Sequence, residues 1–143
     1  MAVTITYLEM TSRDELRPKP LDDPRFTIQE VRDRQWELNR SFYDQVGDPW
    51  NWHDKRIWSD DAWRAYVARD SLRTFVASYD RALAGYFELS HDAETGVEIA
   101  YLGLLPTFVG KGLGGALVTS ALEEAWRMEP RRVWLHTDRK SVV

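Results

Sequence analysis

Four of the chain's eight glycines lie within six positions, in the run Gly110-Lys-Gly-Leu-Gly-Gly115. The run follows an aliphatic segment ending at Pro106 and precedes an amphipathic stretch over 116–128. Residues without a Cβ let the backbone turn sharply and present its N–H groups. A helix start adds further unpaired N–H groups and the positive end of its dipole. A strand, a glycine loop and a helix start in that order make an anion site, for which phosphate is the natural ligand. Lys111 adds a cation. The plainer alternative is a glycine-rich turn that only lets the helix pack close to the sheet.

The loop lacks the Lys-[Ser/Thr] ending of a P-loop, because Gly112 and Leu113 follow Lys111. Gly110, Gly112 and Gly115 do satisfy G-x-G-x-x-G, and Asp138 stands at about the ~20-residue offset of the acidic partner. A dinucleotide-binding loop, however, opens a series of parallel βαβ units. Here the preceding segments read as antiparallel and little chain follows, so that match is accidental.

The hydrophobic pattern sets the glycine loop in a mixed sheet. Residues 3–8 alternate β-branched and aromatic side chains and read as an opening strand; 26–32 read as a second, short one. Helical spacing over 35–45 stops at Gly47-Asp-Pro49, and Ser59-Asp-Asp is the capped start of a second helix. Three strands follow at 72–79, 83–89 and 97–105, joined by connectors short enough for an antiparallel meander. The helix over 116–128 should bury Leu117, Val118, Ala121, Leu122, Ala125 and Met128. The last strand, 131–136, comes after a helix and should run parallel to the strand before it. The expectation is an α/β chain of α+β type, a mixed, mostly antiparallel sheet flanked by helices, in one domain over 1–143.

Composition narrows the function. A formal net charge of −4 disfavours a nucleic-acid binder working through a broad basic field. No apolar run approaches the roughly 20 residues that span a bilayer, and the start lacks the pattern of a signal peptide. With no cysteine, thiolate metal sites and Cys nucleophiles are excluded, and His53, His91 and His136 lack a metal-ligand spacing. No metal, no nucleic acid, no membrane and a cytoplasmic setting are the expectations. Seven Trp are present, five of them between positions 36 and 63. Such rings fill a core or line a pocket.

The segment Leu102-Gly-Leu-Leu-Pro106-Thr-Phe-Val109-Gly-Lys-Gly112-Leu-Gly114-Gly-Ala-Leu-Val118 resembles the most specific motif of the GNAT superfamily of acyl-CoA N-acyltransferases. The strand end, Pro106, Gly112, Leu113, Gly114 and the following helix match. Val109 departs, standing where the family has Gln or Arg. The resemblance implies acetyl-CoA as co-substrate, with its pantetheine arm along the strand end at Leu104 and Leu105. It implies pyrophosphate on backbone amides of Val109, Gly110, Lys111, Gly112, Leu113 and Gly114, with Gly115 beside them, and as acceptor the primary amine of a small molecule or amino-acid-like compound. The family continues after the last strand with a helix carrying a Tyr general acid and a further pair of strands. Residues 137–143 cannot supply these, so the chain reads as truncated relative to the family. Its last strand would then be an open edge that invites pairing, and a homodimer through that edge is the matching expectation.

Amide formation from a thioester needs a proton acceptor for the amine and a donor for the oxyanion. The resemblance places the donor near Leu104 or Leu105 and a Glu base on the same strand. Glu98 is the first candidate: by period two it shares a face with Ala100, Leu102 and Leu104. Glu88, in phase with Tyr86 and Ser90, is the second. Trp50 and Trp52, near Asp48 and Asp54, are candidates to hold a cationic acceptor, and His136 to face it. Trp36, Trp58 and Trp63 read as core. Two alternatives stay open: a CoA-binding module without turnover, and a Trp-lined recognition domain.

Overall fold

A computed structural model describes residues 2–18, 21–50 and 52–141. The side chains of 2–8, 50 and 136–141 lie outside this description, and with them the candidates Trp50 and His136. In chain order come β1 (Ala2–Met10), β2 (Phe26–Val31), α1 (Trp36–Gly47), α2 (Asp60–Ala68), β3 (Leu72–Tyr79), β4 (Ala82–Asp92), β5 (Gly96–Leu104), α3 (Gly114–Arg127) and β6 (Val133–Ser141). The six strands form one mixed, mostly antiparallel sheet in the order β1-β6-β5-β4-β3-β2. Among the described residues no helix is long and apolar enough to cross a membrane.

The meander forms as its connectors require. Asp80 and Arg81 take φ of +50° and +70°, the positive-φ pair of a two-residue hairpin between Tyr79 and Ala82. Ser59 caps α2 through its hydroxyl, which accepts from the Ala62 N–H at 3.1 Å, and Asp60 and Asp61 fill the first turn. The β5–α3–β6 crossover brings β6 parallel to β5, as expected.

The sheet has two apolar faces. On one, α3 covers Phe75, Phe87, Leu89, Val97 and Ile99 with Leu117, Ala121 and Ala125. Val118, expected inside, is exposed, and Trp126 takes a buried place instead. On the other face, α1 packs Phe42 and Val46 against Val76 and Tyr86. α1 comes so close that a Cβ at Gly103 of β5 would stand 2.3 Å from Val46 Cγ1.

Two expectations are corrected. β6 is not an open edge. β1 stands at the end of the sheet and pairs with it antiparallel from Ala2↔Ser141 to Met10↔Val133, which removes the basis for a dimer through that strand. The short polar segment after 136 also continues the strand to Ser141. Both outcomes depend on a pairing between the two ends of the chain, which no local pattern reveals.

Candidate active site

The glycine turn is built as an open cradle. Pro106–Phe108 make one 3-10 turn after β5. Gly110 and Gly112 then take φ of +84° and +80°, a region that L side chains enter only at a cost. A Cβ added at Gly110, Gly112 or Gly114 would meet no protein atom within 4 Å. Leu113 is buried and anchors the start of α3 by accepting from the Leu117 N–H at 3.0 Å. It offers no side-chain cap. Among the described residues no oxygen accepts from the backbone N–H groups of 110–116. Lys111 lies over the Phe108 ring, 5.7 Å from its centroid. A diphosphate fits this arrangement: unpaired amides, a dipole end, a cation and free space. Val109 does not share in it, because its N–H donates to the Pro106 carbonyl at 3.3 Å.

Beside the turn the sheet loses its pairing. β5 and β6 pair only at Val97↔Val133 and Glu98↔Trp134, and beyond them β6 is held by β1 alone. The Leu105 N–H donates to the Ala84 carbonyl at 2.7 Å, so it is committed to the neighbouring strand. Strand alternation then directs the Leu104 N–H to the opposite side, where β6 has left. Leu104 keeps its candidacy as a donor and Leu105 loses it. A cleft of about 530 Å³ lies alongside, between Asp44, Gln45, Asp48 and Pro49 at the end of α1 and Leu105, Pro106 and Thr107.

The two candidate carboxylates part company. The β4–β5 register shifts between Glu88 and Leu89, so that Glu88 opposes Tyr101 while Leu89 opposes Ile99. One extra residue on β5 reverses the phase beyond it. Val97, Ile99, Leu102 and Leu104 therefore pack on the α3 face, and Glu98 does not share a face with Leu102 and Leu104. It sits half-buried opposite Ser90 and Trp134, six positions from Leu104.

Glu88 is sealed under α1 and α2 at 1 % exposure. Its carboxylate accepts from the Tyr66 hydroxyl at 2.5 Å and from Asn39 Nδ2 at 2.9 Å; Asn39 Nδ2 also donates to Thr74 Oγ1 at 2.9 Å. Burial pushes the Glu88 pKa above the ordinary carboxylate value, and these two donors only partly offset it. Asn39 Oδ1 is buried without a hydrogen-bond partner among the described residues.

Next to this network is a ring cage with a cation in it. Lys55 Nζ stands 4.5, 4.8 and 4.7 Å from the ring centroids of Trp58, Tyr66 and Tyr101. It donates to the Tyr101 hydroxyl at 2.8 Å and lies 3.3 Å from Asp54 Oδ2. Asp54 also accepts from the Tyr43 hydroxyl at 2.7 Å and from Tyr101. Partial burial raises the Asp54 pKa, but the two tyrosines and Lys55 together outweigh it and hold the group below its usual value. Trp52 packs on the outer side, with its ring 5.6 Å from Tyr43 and 5.2 Å from Tyr101. Trp63 is core, as expected, but Trp58 belongs to the cage. His53 and His91 are exposed. Asn39, Lys55, Tyr66 and Tyr101 were not singled out from the sequence. Tyr101 is hidden in a strand pattern and Tyr66 in a helical stripe, while Asn39 and Lys55 sit among polar residues. No local signal distinguishes them.

A family model described as Acetyltransferase (GNAT) family matches residues 28–142. Solved structures share the fold. A GCN5-related N-acetyltransferase from Sphaerobacter thermophilus superposes with a TM-score of 0.70 at 14 % identity, over 96 % of this chain and 43 % of that one. An aminoglycoside acetyltransferase from an uncultured soil metagenomic sample, in complex with trehalose, gives 0.65 at 12 % identity, over 79 % and 78 %. The IAA acetyltransferase from Bacillus cereus ATCC 14579 gives 0.53 at 21 %, over 73 % and 60 %. Among curated proteins no significant match is found. With the family model spanning most of its length, the chain belongs to the GNAT acetyltransferase family.

Proposed function

We propose that the chain, acting as a single acyl-CoA-binding unit over 1–143, is an N-acetyltransferase that moves an acetyl group from acetyl-CoA to a primary amine of a small cationic acceptor. The observation that carries this reading is the set of amides over 110–116 at the start of α3, which donate to no oxygen among the described residues. Acetyl-CoA, when bound, supplies an acyl group activated as a thioester.

Each remaining task falls to a residue of the chain. The amides of 110–116 and Lys111 hold the diphosphate. The Leu104 N–H, turned to the side that β6 leaves open, donates to the acyl carbonyl as negative charge develops on its oxygen. Asp44 and Asp48 at the cleft draw in a cationic acceptor. Asp54, held ionised, orients it beside Trp52. Glu88, whose burial raises its proton affinity, accepts the amine proton through the Tyr66 hydroxyl, its hydrogen-bond partner.

A CoA-binding module without turnover is the second reading. Val109, exposed and with its amide committed to Pro106, favours it by removing one family contact to the diphosphate. A free-thiol assay over a panel of amines, aminoglycosides and polyamines included, separates the two when CoA affinity is measured in parallel. The first reading predicts thiol release that depends on the amine. Binding with no release over the whole panel establishes the second.

A further inference from the structure

The cation in the ring cage belongs to the chain itself. Lysine is scarce here: it stands only at 19, 55, 111 and 140, and arginine supplies the other 15 of the 19 basic residues. The cation in the cage is nevertheless a lysine. Its side chain is only 11 % exposed. A Lys of this exposure gives up most of its hydration, and packed apolar side chains usually serve stability as well or better. Three rings converging on one nitrogen with a carboxylate behind them are the chemistry of cation recognition. The lining is also tied to the rest of the site. Tyr101 belongs to β5, three positions before Leu104, and Tyr66 donates to Glu88. Asp54 and Lys55 lie on the segment between α1 and α2, which Tyr43 fastens by donating to Asp54 and accepting from the Lys55 backbone N–H at 3.0 Å. The backbone can therefore stay in place while the Lys55 side chain swings out.

We infer that the cage of Trp58, Tyr66 and Tyr101, closed by Asp54, is a subsite for an alkylammonium group of the acceptor, and that Lys55 fills it in the free protein as a tethered competitor. The inference rests on the acetyltransferase reading for the word acceptor, but its test does without coenzyme and without turnover. An arriving ammonium displaces one of like charge, so the cage exchanges cation for cation and is never left as an uncompensated ring pocket. The tether sets a competition: a weakly held amine evicts Lys55 only at high concentration, and one that makes further contacts evicts it at a lower one.

The test compares the unaltered chain with Lys55→Ala and Lys55→Met, titrated with n-butylammonium chloride and with n-butanol as its uncharged counterpart. Binding is read by calorimetry and by Trp fluorescence. Both variants should bind n-butylammonium at least tenfold more tightly than the unaltered chain. Neither should gain for n-butanol, and adding Asp54→Asn should cancel the gain. Equal affinity in all three proteins, or an equal gain for butanol, overturns the inference. A measurement on the unaltered chain stands whether or not the variants fold. Saturating n-butylammonium should raise the rate at which acetic anhydride labels Lys55, relative to exposed Lys111, severalfold by mass spectrometry; an unchanged ratio overturns it. Because CoA binding is measured separately, failure here leaves the acetyltransferase reading intact, and failure of CoA binding leaves the cage result to stand as cation recognition alone.

Discussion

At the scale of single residues the proposed chemistry is most exposed to test at Glu88, a carboxyl group buried with two donors and a raised pKa. A folded-state pKa above the unfolded one means that the native protein binds the proton more tightly. The stabilisation is then complete below the ordinary value near 4.5 and is lost as pH rises through the folded pKa. Glu88→Gln copies the protonated form, and its amide donor is within reach of Asn39 Oδ1 once the Asn39 amide turns over. The variant should therefore gain in melting temperature relative to the unaltered chain as pH rises above about 4.5, and a difference flat in pH would contradict this. On any amine that is turned over, kcat should fall about 10²-fold in Glu88→Gln while KM for acetyl-CoA holds, as expected for loss of a proton acceptor. Glu88 was legible as a candidate because period-two phase sets it with Tyr86. The same phase argument sets Glu98 with Leu102 and Leu104, and there it fails, because it assumes an unbroken strand and one bulged residue on β5 reverses the phase. The cage partners were illegible because each is an ordinary residue until the fold brings them to one point.

Among elements, those specified by neighbours in sequence were the readable ones. Ser59 with Asp60 and Asp61 marked the start of α2, short connectors marked the meander, and Pro106 with the glycines marked the start of α3. The β1–β6 pairing was not readable, because nothing near Val3 or Val133 says that the two ends of the chain meet. The packing of α1 on β5 is likewise a fact of contact, and it makes a sharp demand at Gly103. A methyl group there would stand 2.3 Å from Val46 Cγ1, a branched side chain with little freedom to yield. Gly103→Ala should lower stability by about 1–3 kcal/mol, read as a lower urea midpoint with an unchanged slope. A midpoint equal to that of the unaltered chain would show that α1 does not press on the strand.

For the molecule as a whole, the sheet closes its most vulnerable edge with its own first strand, and the glycine cradle, the gap beside β5 and the cage lie around one stretch of β5. Removing residues 1–10 should strip β6 of its antiparallel partner. Faster amide exchange over 133–141 and concentration-dependent self-association in sedimentation should follow, because an exposed strand edge seeks another. Unchanged exchange there would mean that β1 does not cover β6. Acetyl transfer from CoA requires above all that the turn before α3 hold a diphosphate. Titrating CoA into the unaltered chain and into Gly112→Val tests it directly. Residue 112 has φ of +80° with open space around it, so a branched side chain both strains the turn and stands where the ligand would lie. The unaltered chain should bind CoA saturably, and a Gly112→Val protein that still melts cooperatively should bind it at least a hundredfold more weakly. Equal CoA affinity in the two proteins, or no CoA binding by either, would contradict this.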